Sequence, residues 1–395
     1  MIADPFPHLA TMREETPLVW NPSLKSGCLT RYDDCCAALA DQRFSAARIQ
    51  PFLDHQSGVD EADLRELCDV FLLWLPFLDP PRHTRLRRLL NTGFTPQAIA
   101  SLQPKIEKIV TELLDGLKDE EEFDFISRFA VPLPGTVIAD ILGVPRKEVG
   151  QLKIWSDDIA AFVLASRLLE DKYAIAAKAT ADMREYFTVL IEQRRAEPGD
   201  AIIDTLIAAH DGEETLSTAE LLSSCILLLF AGHETTTQLF GNSMLALHRE
   251  PEQRALFRAK ASDAGFVANA VEELLRRDGP SVAMVRVLHE SVELYDHKLD
   301  EGARVNVLIG AANQDPRVFE APEELRLERE SARKQINFGH GIHTCLGARL
   351  ARLEGAIGFP AILEALENWE IGDSNLEWAD SLIIRGLKAL PMRAK

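Results

Sequence analysis

Apolar residues recur every three to four positions through most of the chain, with charged residues between them. The pattern is clearest from Pro96 to Gly116 and from Lys172 to Arg195. This spacing puts the apolar side chains on one face of a helix, so it predicts amphipathic helices. Strand-like alternation is confined to three short segments, at Val292 to Asp296, Ala303 to Gly310 and Ser381 to Gly386. We therefore predict a mainly α fold with small β-sheets.

One helix near the middle of the chain is predicted to be unusually long. It opens on a capping box, Ser217 followed by Glu220, in which each side chain bonds the other residue's backbone N–H. The helix can continue to the residue before Pro251, a length of roughly 50 Å at about 1.5 Å per residue. Its apolar pattern breaks from Gly232 to Thr237. Glycine and a threonine cluster are poor choices for a helix interior, and a buried glutamate is costly unless it is paired, so this break indicates a function.

Composition and charge narrow the class of protein. The chain has 395 residues and a net charge of -19, which argues against a general nucleic-acid-binding protein. No linker, repeat or charge run divides the chain, so we predict a single domain over residues 1–395.

The first residues lack an apolar signal core, and no apolar run reaches about 18 residues, so we expect a cytoplasmic protein without a membrane anchor. The six cysteines show no CxxC spacing, which favours reduced thiols.

A cysteine near the C-terminus lies among glycines. Gly339 and Gly341 predict a tight loop, and the helical pattern that follows Cys345 places this residue at the start of a helix. Backbone N–H groups and the helix dipole favour a thiolate there, and such a thiolate suits a large planar cofactor. Two alternatives stay open: a small buried apolar residue, or a zinc site with His340 and His343, whose spacing is unusual for zinc.

The segment from Phe338 to Gly347 resembles the haem-binding loop of the cytochrome P-450 family, in its soluble bacterial branch. Its FGxGxHxCLG pattern is long and specific, and it continues through LAR to Arg352. The resemblance implies haem b (iron protoporphyrin IX) as the cofactor and Cys345 as the ligand of the haem iron. It also implies that His343 lies near a haem propionate.

Other segments resemble the same family in the expected order and cover nearly the whole chain. They are AGHETT from Ala231 to Thr236, ELLR from Glu273 to Arg276, NQDP from Asn313 to Pro316, and DPPRHTRLRR from Asp79 to Arg88. The i, i+4 spacing of His83 and Arg87 places both on one helix face, which suits paired carboxylates. The resemblance implies two further sets of residues, a buried structural triad of Glu273, Arg276 and Arg329, and haem-propionate ligands His83, Arg87 and Arg286.

The break in the central helix gains a role from this resemblance. Glu234 and Thr235 match the family's acid–alcohol pair, which implies a catalytic proton relay. We expect the Thr235 hydroxyl to turn toward the Ala231 carbonyl and to distort the helix locally. Gly232 is expected to leave room for dioxygen. A plain polar helix face is the alternative.

The substrate pocket is predicted from motif positions alone. Residues from Phe71 to Phe77 occupy the family's variable loop over the pocket. All the predicted pocket residues are apolar, which favours an apolar or amphipathic substrate, although any of them suits a plain core equally well. They are Phe230, Ala231, Val282, Ala283, Ile383 and Ile384.

The predicted function is a haem-thiolate monooxygenase, which activates O2 and inserts one oxygen atom into a small organic molecule of bacterial secondary metabolism. No reductase domain is fused to the chain, so a ferredoxin or flavodoxin-type electron donor with its reductase is expected. The alternatives are an atypical haem-thiolate oxidase or peroxygenase, and a non-catalytic haem-binding sensor. A positive patch for the acidic donor is predicted from four residues, namely Arg85, Arg88, Arg349 and Arg352.

Overall fold

Helices dominate the fold, as the apolar periodicity predicts. The computed structural model describes residues 3–21, 26–54, 59–163, 171–211, 216–372 and 376–395. In these residues the α-helices are α1 Phe6–Glu15, α2 Tyr32–Ala40, α3 Ile49–Leu53, α4 Glu61–Phe71, α5 Arg82–Asn91, α6 Pro96–Ala100, α7 Gln103–Asp115, α8 Pro132–Ile141, α9 Val149–Val163, α10 Lys172–Ala196, α11 Ile202–Asp211, α12 Thr218–Arg249, α13 Pro251–Ala259, α14 Ala264–Asp278, α15 Ile309–Ala312 and α16 Ala348–Ala365. None of these described helices has both the length and the apolar character that crossing a bilayer requires.

The strands are short and form small sheets. They are β1 Leu18–Asn21, β2 Ser26–Leu29, β3 Phe44–Ser45, β4 Glu122–Asp124, β5 Met284–Leu288, β6 Val292–Leu294, β7 His297–Leu299, β8 Arg304–Val307, β9 Trp369–Ile371 and β10 Pro391–Ala394. The largest sheet has the order β1-β2-β8-β5-β3, a second has the order β4-β10-β9, and β6 and β7 form a hairpin. The prediction of a mainly α fold with small sheets is confirmed.

The predicted helix from Pro96 to Gly116 is two helices, α6 and α7. Pro104 lies in the first turn of α7, where its missing N–H does no harm. The predicted helix from Lys172 to Arg195 is confirmed to within one residue, because α10 ends at Ala196.

All three predicted strands differ from the structure. The one from Ala303 to Gly310 is the shorter strand β8, Arg304–Val307, and Gly310 lies in α15. The strand from Val292 ends at Leu294, because Tyr295 and the next residue form the hairpin turn. Tyr295 adopts a φ of 56°, which non-glycine residues seldom take. No regular strand forms from Ser381 to Gly386. The hydrogen bonds of this segment go to the irregular stretch around Pro280, whose carbonyl accepts from the Arg385 N–H at 2.8 Å.

The chain folds into two compact units, each assembled from separate stretches of sequence. Unit 1 comprises Met1–Phe44, Ala100–Pro134 and Glu234–Lys395, and unit 2 comprises Ser45–Ile99 and Gly135–His233. The boundary between His233 and Glu234 falls inside the continuous helix α12. The single domain remains a prediction.

In unit 1 the main sheet supports the segment that contains the cysteine. Strands β2 and β8 are parallel, and β5 and β8 are antiparallel. Their buried residues form one apolar cluster that extends to Ile336, just before the glycine-rich loop, with Met284 packed against it. The loop therefore begins at the edge of a packed core.

Candidate active site

The glycine-rich segment from Asn337 to Gly347, here called the cysteine loop, is a tight loop as predicted. Gly339 and Gly341 adopt φ values of 76° and 73°, which L side chains rarely adopt. A Cβ at Gly341 would also lie 2.9 Å from the Leu39 carbonyl oxygen. The Cys345 N–H donates to the Phe338 carbonyl at 2.8 Å, which closes the loop two residues before the N-cap of α16.

Cys345 differs from the other cysteines in its exposure. All six cysteines lie in the described residues, and only Cys345 is exposed. Burial raises the pKa of Cys225 to about 12, and it raises the pKa of Cys35 well above its usual value. Exposure of Cys345 contradicts the alternative of a small buried apolar residue. Its sulfur is therefore the cysteine donor that a bound group can reach.

The three residues of the predicted triad lie together in unit 1 and are buried. Arg276 donates to both carboxylate oxygens of Glu273, at 2.7 and 2.9 Å. Arg329 Nε donates to the same carboxylate at 3.0 and 3.1 Å. The remaining guanidinium N–H groups donate to backbone carbonyls, including those of Asn313 and Pro322. Because every charge is paired and hydrogen-bonded, this cluster can stay ionised in the interior.

Unit 2 contributes His83 and Arg87, one turn apart on α5. His83 is buried, with 2% of its surface exposed, and Arg87 is half-buried. Burial and then the Arg87 charge lower the pKa of His83, and Asp79 opposes this shift. Two nitrogen donors next to each other, one of them always cationic, favour a bound carboxylate.

Unit 1 contributes Arg286 and His343. Arg286 is buried on β5, and its Nη1 donates to the Val285 carbonyl at 3.1 Å. His343 is half-buried at the end of the 3-10 turn Gly341–His343. Each side chain adds a further nitrogen donor on or near the cysteine loop's side of unit 1.

The central helix α12 begins and ends as predicted, and its capping box is confirmed. The Ser217 N–H donates to Glu220 at 2.9 Å, and the Glu220 N–H donates to the Ser217 hydroxyl at 3.2 Å. Glu220 also forms an ion pair with Arg85. This ion pair reduces the net positive charge that Arg85 adds to the predicted patch.

The predicted catalytic residues lie on the accessible part of α12. Ala231 is exposed, and Glu234 and Thr235 are half-buried. Gln238, one turn further on, donates through Nε2 to the Glu234 carboxylate at 3.3 Å. These residues belong to one continuous α-helix, and the local distortion by the Thr235 hydroxyl remains a prediction.

Neighbouring residues of the polar stretch have packing roles that the sequence did not reveal. A Cβ at Gly232 would lie 2.9 Å from the end of the Ile138 side chain, so Ile138 packs closely against this glycine. The expectation that Gly232 makes room for dioxygen remains a prediction. The Thr237 hydroxyl donates to the Ala130 carbonyl at 3.0 Å. Burial and then the Lys153 charge lower the pKa of His233 to about 3, so this imidazole is neutral at ordinary pH.

The predicted pocket residues of unit 1 separate into two groups. The Val282 N–H donates to the Ile383 carbonyl at 2.8 Å, and both residues are half-buried. Ala283 is buried in a core cluster with Leu9 and other apolar residues, and Ile384 is buried as well. Val282 and Ile383 are therefore the accessible members, and the surroundings of Ala283 favour the alternative of plain core.

The predicted pocket residues of unit 2 belong to an aromatic cluster. Phe230 lies 5.3 Å from the ring of Trp74, and Trp74 lies 4.4 Å from Phe71. The expected loop is the end of α4 and the short helix Leu75–Phe77, and Phe71, Trp74 and Phe77 are buried. These large apolar side chains pack on one another, and the position of this segment over the pocket remains a prediction. Trp74 Nε1 is buried with no hydrogen-bond partner in the part of the chain that the structure describes.

Glu272 and Arg352 form an ion pair near the cysteine loop. Only Arg352 was named in the sequence analysis. Arg352 pairs with Glu272 at 2.5 Å, so it is not a free cation of the predicted patch. Glu272 is the residue before the triad glutamate, and the sequence gives no signal for its partner on α16. Arg352 also lies over the Phe338 ring, 4.5 Å from the centroid.

A mainly helical fold, an exposed cysteine in a glycine-rich loop and a buried glutamate–arginine cluster in the same unit are together typical of a haem-thiolate protein. The family model for cytochrome P-450 matches residues 74–375. The polyketide biosynthesis cytochrome P-450 PksS of Bacillus subtilis (strain 168) is 35% identical over 98% of this chain and 95% of its own length. The chain therefore belongs to the cytochrome P-450 family.

Solved structures agree over the whole chain. P-450 BioI, in complex with acyl carrier protein ligated to hexadec-9Z-enoic acid, has a TM-score of 0.90 and 31% identity, covering 100% of this chain and 99% of that one. The myxobacterial cytochrome P-450 CYP267B1, in complex with myristic acid, has a TM-score of 0.87 and 34% identity, covering 100% and 97%.

Family membership confirms the predicted class. The protein is a haem-thiolate monooxygenase with haem b as its cofactor, and it acts on a small molecule with O2 and electrons from a redox partner. The side chains of this protein are suited to binding haem b. Cys345 offers a soft sulfur donor at the surface of unit 1, and buried cationic donors such as Arg286 suit carboxylates.

Proposed function

We propose that Cys345 is the thiolate ligand of the haem iron and that the cysteine loop orients it. The observation that carries this proposal is the exposure of Cys345 alone among the six cysteines, all of them described, in a loop closed by its own N–H. A bound haem supplies the oxygen-activating redox chemistry. The chain's part is to hold the sulfur in one position while the glycines let a flat ligand approach the backbone.

His83, Arg87, Arg286 and His343 are the proposed ligands of the haem propionates. His83 and Arg87 are neighbours on α5, and burial lowers the pKa of His83. A carboxylate beside His83 would offset that effect and favour the protonated imidazole. The proposal therefore expects a higher His83 pKa in the haem-bound protein.

Glu234 and Thr235 are the proposed proton relay. Their half-buried positions give water access to both side chains, and Gln238 holds the Glu234 carboxylate by one hydrogen bond. A carboxylate can take a proton from water and pass it to a neighbouring hydroxyl, which donates it onward.

The proposed substrate is a long apolar chain with at least one oxygen, of the fatty-acyl or polyketide type. Val282 and Ile383 supply accessible apolar surface in unit 1. In unit 2, Phe230 packs against Trp74, whose buried N–H has no acceptor among the described residues. A buried indole N–H usually has a partner, and a substrate oxygen would supply one. The names of the relatives, with polyketide biosynthesis and fatty-acid ligands, support the same class.

The proposed electron donor is a ferredoxin or a flavodoxin-type protein. Such acidic donors bind basic surface. Arg88 and Arg349 are exposed, and Arg85 and Arg352 form ion pairs with glutamates. In unit 1, we assign donor binding to Arg349 because of its exposure.

The test of the ligand assignment is the absorption spectrum of the reduced, carbon monoxide-bound protein. Wild type should show the long-wavelength Soret band of thiolate ligation, and Cys345→Ser should lack it. Cys68→Ser, at a half-buried cysteine, is the matched control and should keep the band. Absence of the band in wild type would refute the proposal.

The test of the substrate class is the haem absorption change on ligand binding. Myristic acid, an acyl-carrier-bound fatty acid and a polyketide lactone should be titrated in parallel, with a short aromatic compound as the control. Saturable changes with the long chains and none with the aromatic compound support the proposal. Tighter binding of the aromatic compound would contradict it.

A further inference from the structure

The side chain of Arg352 links helix α14 to the cysteine loop. Its Nε donates to Glu272 Oε1 at 2.5 Å, and its Nη2 donates to Oε2 at 3.2 Å. The same guanidinium lies over the Phe338 ring, with Cζ 4.5 Å from the centroid. Arginine alone offers a planar fork for a carboxylate and a flat cationic face for an aromatic ring at once.

Glu272 holds the beginning of the same loop through a second contact. Gln335 Nε2 donates to Glu272 Oε2 at 2.9 Å. Gln335 Oε1 in turn accepts from the Asn337 N–H at 2.6 Å. Glu272 is 7% exposed, whereas the Arg352 side chain is 40% exposed, so the carboxylate is shielded from water and its partner is partly screened by it.

These contacts reach Cys345 through the backbone. The Cys345 N–H donates to the carbonyl of Phe338 at 2.8 Å, and Phe338 is the residue that Arg352 covers. A change at Glu272 or Arg352 therefore moves the group that accepts the Cys345 hydrogen bond. All the residues involved lie in unit 1.

We propose that Glu272 and Arg352 are positioning residues that fix the cysteine loop and set the electrostatic potential at its sulfur. The inference rests on the proposed role of Cys345 as the haem ligand. A positive charge nearby stabilises the more electron-rich, reduced state of the bound group, and a negative charge nearby destabilises it. The two members of the pair therefore act on the reduction potential in opposite directions.

The first test is a redox titration of the holoenzyme. Arg352→Gln removes the cation and should shift the reduction potential to more negative values. Glu272→Gln leaves Arg352 uncompensated and should shift it to more positive values. Arg65→Gln, at an exposed arginine of α4, is the control and should leave the potential close to that of wild type. Shifts of the same sign in the first two variants, or no shift in either, would overturn the electrostatic role.

The second test is amide hydrogen exchange at Cys345 in the holoenzyme. Arg352→Lys keeps the charge but loses the fork, so exchange should be about tenfold faster, as expected when about one hydrogen-bonded contact is lost, while the potential stays near that of wild type. Unchanged exchange in this variant and in Glu272→Gln would refute the positioning role. The wild-type carbon monoxide spectrum reports separately on the ligand, so failure of that assignment is distinguishable from failure of this one.

Discussion

Gln238 fills the space beside Gly386 while it bonds Glu234. A Cβ at position 386 would overlap the Gln238 side-chain amide, and Gln238 Nε2 is the donor to the Glu234 carboxylate at 3.3 Å. Because Gly386 has no side chain, Gln238 can occupy the position from which it orients Glu234, the acid of the proposed relay. Neither residue was singled out in the sequence.

Gly386→Ala should displace Gln238 and lower the free energy of unfolding by about 1–3 kcal/mol, the usual cost of overpacking. Adding Gln238→Ala should restore part of that loss, because the clashing amide is gone. Chemical denaturation of both single variants and the double variant gives the coupling energy. Simple additivity of the two changes would show that they do not share this space.

Thr235→Ala should keep haem and substrate binding but divert consumed oxygen to hydrogen peroxide, because the hydroxyl of the proposed relay is lost. The measurement is the ratio of product to oxygen consumed, with peroxide determined in parallel. Thr237→Val is the matched control. It loses the bond to Ala130 and should cost about 1 kcal/mol of stability without changing the ratio. Full coupling in Thr235→Ala would contradict the relay.

Arg329→Lys should destabilise the protein by roughly 3–5 kcal/mol, because one ammonium cannot replace the guanidinium contacts with buried Glu273. Arg329 also donates to backbone carbonyls, such as that of Ala321 at 3.0 Å. The midpoint of urea unfolding measures the loss. Arg326→Lys is the control, because Arg326 pairs with Glu324 at the surface. Replacing this arginine by lysine should change the free energy of unfolding by no more than about 1 kcal/mol. Equal effects in the two variants would argue against a special role for the triad.

The buried carboxyl of Glu354 should make the stability of the protein depend on pH. It is fully buried on α16, and burial raises the pKa of its carboxyl to about 8. The unfolded chain releases this proton near pH 4.5 and the folded protein near pH 8. The folded state therefore binds more protons in that interval, and its stability falls as pH rises through it.

Glu354→Gln should remove this slope, because glutamine does not ionise. Relative to wild type, the variant should gain stability between about pH 5 and pH 8, by at most roughly 3–5 kcal/mol. Urea unfolding at several pH values measures the difference. Glu364→Gln, at an exposed position of the same helix, should leave the slope unchanged. A wild-type slope that persists in Glu354→Gln would assign it to another group.

Sequence reasoning succeeded where the signal is local. The capping box at Ser217 and the left-handed glycines of the cysteine loop depend on a few adjacent residues and on backbone geometry. The Glu273 cluster was also placed correctly, but its distant member, Arg329, came from family resemblance rather than from spacing. The roles of these residues in catalysis and haem binding remain predictions.

Sequence reasoning failed where tertiary contacts decide. The close packing of Ile138, a residue of another helix, against Gly232 could not be predicted from the local pattern. Arg85 was predicted to belong to a positive patch, yet it pairs with Glu220, which lies 135 positions away in the sequence. The partner of Glu272 could not be found from periodicity, because the pair joins residues 80 positions apart.

The alternation of the two units along the chain has a practical consequence. Unit 2 is built from two separate stretches, and its second stretch stops in the middle of α12. No single truncation can yield either unit as a contiguous fragment, and any split at that boundary would cut through hydrogen-bonded helix. Reporter insertions and split-protein designs should therefore be placed at turns such as the one after Leu294, and fragment complementation should be attempted only there.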